Sequence, residues 1–196
     1  MSKNSRKKLS LILLWILLAL PGIMISVSYM IGKSTFDSMM HTTGEFGGRF
    51  LVITLIATPL SIIFPKTKLG DWLIRNRRYF GVAAFFYTFA HTVAYVLETT
   101  IGEVAKALFD IGMITGWLAF FIFIPLAITS TNSAVKKLGK KWKNLHRLVY
   151  LAAILTFAHW ALIHNHWKPA LVHFAPIIML HIIAAFVLLY RRKKLV

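Results

Sequence analysis

Residues Leu9 to Ile31 read LSLILLWILLALPGIMISVSYMI, a run of 23 residues without one charged side chain. A helix rises about 1.5 Å per residue, and about 20 apolar residues cross the hydrocarbon core of a bilayer. The run is therefore long enough to span a membrane. The basic stretch KNSRKK (Lys3 to Lys8) precedes it, as in a secretory signal. The apolar run is too long for such a signal and no small-residue cleavage site follows. The reading is a retained membrane helix, in which Pro21 and Gly22 are tolerable and favour a kink.

Working outward, five further apolar segments reach a similar length: Glu45 to Phe64, Tyr79 to Leu97, Ile111 to Thr129, Leu145 to Ile163 and Leu171 to Tyr190. The expected fold is all-α, an integral membrane six-helix bundle forming one domain over residues 1–196. Composition agrees: 58% of residues are hydrophobic, 15% are charged, and mean hydropathy is +0.68. A net charge of +17 could suggest nucleic acid, but the lysines and arginines sit in short clusters between apolar runs. That pattern encodes topology and a lipid environment, with no nucleic acid partner. The connections hold 19 of the 23 basic residues on one side, leaving Lys33, Arg49, Lys106 and Lys168 for the other. Lys and Arg stay on the cytoplasmic side, so both termini are expected to be cytoplasmic. Asp37, Glu45, Glu98, Glu103 and Asp110 fall on the opposite side. The chain has no cysteine, which excludes disulfides, iron–sulfur clusters and CxxCH haem attachment within it.

Ionisable side chains inside a bilayer are costly, which makes the intramembrane histidines His91, His159 and His181 functional candidates. A histidine can equally serve as hydrogen-bonding glue between helices. Depth separates the two readings. His91 lies 13 residues past Arg78 and His159 lies 12 past Arg147, which places both about 18 to 20 Å into the membrane from the cytoplasm. Two neutral imidazoles at one depth on two helices are what a low-spin haem needs on its two axial faces. Zinc would usually want three or four protein ligands.

His146 stands 13 residues before His159, about 20 Å closer to the cytoplasm and about 140° away around an ideal helix. It is a candidate for a second, inner haem, or a membrane-surface residue beside Arg147. Helix 3 offers no histidine at that level, only Arg77, Arg78 and Tyr79. His41, His164, His166 and His173 fall at or near the external surface, where an HxH pair could bind copper or zinc or simply decorate a loop. For His181, packing is the expected role. Arg49 enters helix 2 from the outside near the haem level, where it would either pair with a haem propionate through its planar fork or snorkel to the interface. The aromatics Phe85, Phe86, Tyr87, Phe89 and Tyr95 could wall a haem or pack against lipid.

Four stretches carry a family resemblance: HTTGEFGGRFLVITLIATPL (His41 to Leu60), RNRRYFGVAAFFYTFAHTVAY (Arg75 to Tyr95), LAITSTNSAVKKLGKKW (Leu126 to Trp142) and NLHRLVYLAAILTFAHW (Asn144 to Trp160). On these the chain resembles the MsrQ (YedZ) family, haem-binding membrane subunits of a bacterial periplasmic methionine sulfoxide reductase system, within the ferric reductase-like transmembrane superfamily. The resemblance implies haem b associated with His91, His146 and His159, quinol as electron source, and FMN as a further cofactor. It also implies an external molybdopterin reductase subunit as partner and the bacterial inner membrane as location. The HNHW loop and the histidines of the last helix are not features of that family.

No dinucleotide-binding GxGxxG and no flavin domain follow the last helix, so electrons are expected from a membrane quinol or a separate cytoplasmic flavin reductase. The leading expectation is transmembrane electron transfer through b-type haem to an external methionine sulfoxide reductase catalytic subunit. Two alternatives stand beside it: direct reduction of external ferric or cupric ions at the outer histidines, and a cofactor-free small transporter.

Overall fold

The computed structural model describes residues 2–107, 109–163 and 167–194. Among them every regular element is an α-helix: α1 (Lys3–Met30), α2 (Phe36–Ile63), α3 (Lys68–Glu98), α4 (Ile101–Ala107), α5 (Ile111–Ile128), α6 (Asn132–Leu138), α7 (Lys140–His146), α8 (Leu148–Ile163) and α9 (Trp167–Lys193). Six helical segments among the described residues are long and apolar enough to cross a membrane, with α7 and α8 counted as one. The six-helix membrane bundle expected from the apolar runs is what the chain forms. His164 and His166, proposed as outer metal ligands, lie outside the described residues.

The helices begin earlier than the apolar runs do, because polar caps decide where they start. Thr35 Oγ1 accepts from the Ser38 N–H at 3.1 Å and opens α2 ahead of Glu45. Thr67 Oγ1 accepts from the Gly70 N–H at 3.2 Å and opens α3 ahead of Tyr79. Asp110 caps α5 through the Met113 N–H at 2.9 Å. Each satisfies an N–H that the first turn would leave without a partner. Helical backbone thus continues past the hydrocarbon into the polar layer on both segments. The fifth span carries a tight turn at Arg147, whose N–H reaches both the Lys143 and Asn144 carbonyls, dividing α7 from α8.

Two antiparallel pairs, α2 with α3 and α5 with α8, form the body of the bundle, while α9 rests on α2 and α8 and α1 rests on α2 and α3. Small residues set the close approaches: Ala84 on α3, Ala57 on α2 and Ala152 on α8 are fully buried. In a membrane, where lipid is as apolar as leucine, such close van der Waals packing drives helix association. The outward faces of α1 and α9 carry Leu, Ile, Met and Phe side chains that are open to the surroundings, as lipid-facing helices require.

Helix α1 is tied to α3 by one side chain. The Tyr87 hydroxyl accepts from the Gly22 N–H at 2.6 Å and donates to the Leu18 carbonyl at 3.0 Å. It stands between two groups that an unbroken helix would join directly, next to Pro21, which has no N–H to give. Gly22 makes room, since a Cβ there would meet the Tyr87 oxygen at 3.0 Å. At the end of the bundle that carries the basic clusters, Arg77 donates to Thr58 at 3.0 Å and Arg78 to Asn132 at 2.8 Å. This joins the end of α2, the start of α3 and α6.

Candidate functional site

His91 on α3 and His159 on α8 face each other across the middle of the two pairs, their ring centroids 6.2 Å apart and their planes at 72°. The two histidines that sequence depth singled out are the two the bundle brings together. His91 Nδ1 donates to the Met40 carbonyl at 2.9 Å, and His159 Nδ1 donates to the Gly112 carbonyl at 2.8 Å. A carbonyl can only accept, so in each ring Nδ1 holds the proton and the lone pair sits on Nε2. That tautomer is the one a metal-ligating histidine adopts when its other nitrogen is held by backbone.

Between the rings lies a cavity of about 440 Å³, a size ordinary for a cofactor pocket, where about 300 to 1,000 Å³ is usual. Its wall is largely apolar and aromatic, with Tyr95, Met113, Trp117, Phe120, Phe123 and Trp160 contributing. Haem suits it on three grounds. Two metal–nitrogen bonds of about 2.0 Å, with about 1.1 Å from nitrogen to ring centre added on each side, put two axial imidazole centroids about 6 Å apart, and the observed separation is 6.2 Å. The macrocycle is apolar, as the wall is. The buried Trp117 Nε1 has no partner among the described residues and, at the cavity wall, offers an N–H to an acceptor inside. No cluster of three or more His, Cys, Asp or Glu that could hold a metal ion occurs among the described residues. Zinc usually takes three or four protein ligands, so a pair of imidazoles suits a macrocycle better.

The other described histidines have local partners. His146 Nε2 lies 3.0 Å from Thr129 Oγ1 and its ring stacks on Trp142 with centroids 3.9 Å apart. Both partners hold it at the basic end of the bundle, in a second cavity of about 280 Å³ lined also by Arg77, Arg78, Lys143, Arg147 and Tyr150. Among the described residues the ion pairs are His41–Asp37 and Arg49–Glu45, so none of these four cations has a carboxylate partner. Phe123, 4% exposed, lines both cavities. His41 lies 3.1 Å from Asp37 and lines the mouth of the larger cavity. His173 Nδ1 donates to the Pro169 carbonyl at 2.8 Å while its Nε2 accepts from Arg49 Nε at 3.5 Å. His181 Nδ1 donates to the Ile177 carbonyl at 2.8 Å and its ring meets Tyr150 edge-on; its buried Nε2 has no partner among the described residues.

Arg49 does not reach the cavity wall as a lining residue. Its guanidinium pairs with Glu45 at 2.6 Å and lies over the Phe46 ring, and Glu45 is the member of the pair that lines the cavity. Of the aromatics, Tyr95 walls the cavity, Tyr87 ties α1 to α3, and Phe86 and Phe89 face outward. Sequence reasoning passed over Gly44, Gly116 and Trp117. Glycines at those spacings in apolar helices signal close approach, but not what approaches.

Residues 43–157 match the family described as the ferric reductase like transmembrane component. The protein-methionine-sulfoxide reductase heme-binding subunit MsrQ of Herminiimonas arsenicoxydans is 37% identical over 167 residues, covering 82% of this chain and 72% of that protein. Its namesake in Brucella ovis is 31% identical over 165 residues, 81% of this chain and 69% of that protein. No solved structure matches the chain. Over half its length matches that family and it covers more than two thirds of each of these relatives, so the chain belongs to the MsrQ family of ferric reductase-like transmembrane proteins.

Proposed function

We propose that this protein is a membrane electron-transfer subunit that holds one b-type haem between His91 and His159. The observation that carries the reading is the pair of imidazoles 6.2 Å apart across an apolar cavity, each locked by a backbone carbonyl into the tautomer that leaves Nε2 for iron. The named relatives are heme-binding subunits, which supports the same cofactor here. When bound, haem supplies a one-electron ferric–ferrous couple whose potential is tuned by its ligands and their hydrogen bonds.

In this reading the basic end is cytoplasmic, both termini lie there, and residues 1–196 form one domain in the bacterial inner membrane. The larger cavity then opens toward the periplasm. His91 and His159 bind and orient the iron, and Phe120, Phe123 and Trp160 exclude water. Trp117 Nε1 and the Glu45–Arg49 pair stand at the wall and mouth as polar groups, with Arg49 able to meet a propionate where Glu45 turns aside. Electrons enter from the smaller cavity, where Arg77, Arg78, Lys143 and Arg147 favour an anionic partner and Trp142 and Tyr150 offer flat faces. The FMN of a flavin reductase has both the anionic phosphate and the flat ring, and a quinol headgroup has the flat ring alone. His146, held by Thr129 and Trp142, is a wall of this entry site and not an iron ligand. The external acceptor is a methionine sulfoxide reductase catalytic subunit, in keeping with the names of the relatives, and the family resemblance implies that it is a molybdopterin protein.

Rapid anaerobic mixing of the purified protein with a reduced quinol tests the relay. The ferrous haem band is expected to grow and then to collapse when ferricyanide is added. Haem-loaded protein that neither a quinol nor a reduced flavin reductase can reduce would overturn the entry route.

A further inference from the structure

We propose that Gly44 and Gly116 are positioning residues for the two haem ligands, each one stripping a helix of the side chain that would cover the carbonyl to which a ligand histidine donates. The proposal rests on the haem reading above. A Cβ built on Gly44 would stand 2.9 Å from Nδ1 and 3.2 Å from Cε1 of His91. One built on Gly116 would stand 2.5 Å from Nδ1 and 2.7 Å from Cε1 of His159. Separations below 3.0 Å are essentially never seen for real Cβ atoms. The crowded atoms belong to a ring on two torsions, already pinned by its own hydrogen bond, so they cannot swing aside as a lysine tip could.

The same construction occurs twice. The acceptor for His91 is the Met40 carbonyl, four residues before Gly44. The acceptor for His159 is the Gly112 carbonyl, four residues before Gly116. In an α-helix the carbonyl of residue i receives the N–H of residue i+4, and the Cα–Cβ bond of i+4 tilts back over that turn. The side chain at i+4 is therefore the natural cover of the carbonyl's second lone pair. Glycine uncovers it, and an imidazole from the neighbouring helix takes it. Helix α2 does this for α3 and helix α5 does it for α8, so both ligand rings are aimed by backbone rather than by flexible side chains. Gly22 carries a phenol version of this construction away from both histidines, since Tyr87 donates to the Leu18 carbonyl four residues before Gly22, while Gly102 faces open space.

Loss of a hydrogen bond that orients a metal ligand typically costs about 10- to 100-fold in metal affinity. Gly116→Ala is thus expected to lower haem per protein about tenfold or more and to leave the remainder high-spin, with Gly44→Ala acting in the same direction but less strongly. Gly22→Ala, where the new Cβ would meet the Tyr87 oxygen at 3.0 Å and no histidine, is expected to keep the wild-type low-spin spectrum. Wild-type haem content and spectrum in both Gly44→Ala and Gly116→Ala would overturn the proposal, as would equal haem loss in Gly22→Ala.

Melting temperatures of the detergent-solubilised apoproteins decide the matter should Gly116→Ala accumulate poorly. The Gly116→Ala penalty is expected to vanish in a His159→Ala background, because the ring that the new methyl meets is gone. A penalty that persists there would assign Gly116 to helix packing and contradict the proposal. Absence of haem from the wild-type protein would instead count against the haem reading, and the melting cycle would still read the contact.

Discussion

Alanine at His91 or at His159 is expected to abolish haem binding, with each single variant purified as apoprotein and showing no ferrous b-type band. In the proposed reading the two rings would hold the iron from its two sides, and their centroids stand 6.2 Å apart, a separation that suits such a pair. Removing one ring would take away one of the two ligands that the reading assigns to the iron and enlarge the cavity at that side. The chain has no cysteine to tether a macrocycle covalently, so the loss of either ligand falls on non-covalent binding alone. His146→Ala is expected to retain the full band, because its Nε2 is engaged by Thr129 and its face by Trp142. Haem absorbance per protein in the three variants checks this. Haem lost in His146→Ala and kept in His91→Ala would contradict the assignment.

The second large effect is expected at Phe123. This side chain is 4% exposed and is the one lining residue the two described cavities have in common. Truncating a buried phenylalanine removes packing worth about 3 to 5 kcal/mol, and here it also joins spaces of about 440 and 280 Å³. In the haem-free protein the joined space is roomy enough for a file of water, and it is lined at one end by Arg77, Arg78 and Arg147, which hold water readily. Phe123→Ala is therefore expected to melt at lower temperature and to make vesicles containing it leak protons severalfold faster than wild type. Phe123→Leu, which keeps the wall, is expected to stay tight. Equal proton permeability in Phe123→Ala and wild type would show that some other group separates the two ends.

The existence and number of spans were legible because a bilayer leaves few options: a helix of the needed length must be apolar throughout. The starts of α2 and α3 were not, because Thr35 and Thr67 cap helices that continue into the polar layer, where apolar periodicity no longer reports them. The His91–His159 pair was legible from matched depth together with the family pattern, since counting residues from a basic boundary fixes height in a membrane. Rotation about the helix axes was not, and rotation decides which glycine meets which ring. Two partners were in fact within reach of sequence. Glu45 stands four residues before Arg49 and Trp142 four before His146, spacings at which helical side chains meet. Each pairs locally with a residue that its level in the membrane had offered to haem.

The most direct measurement is the haem-to-protein ratio of the detergent-purified chain, taken with its reduced-minus-oxidised spectrum. The account predicts one non-covalent b-type haem per chain, low-spin in both oxidation states. Two haems per chain, a high-spin ferric form in the wild-type protein, or no haem at all would contradict it.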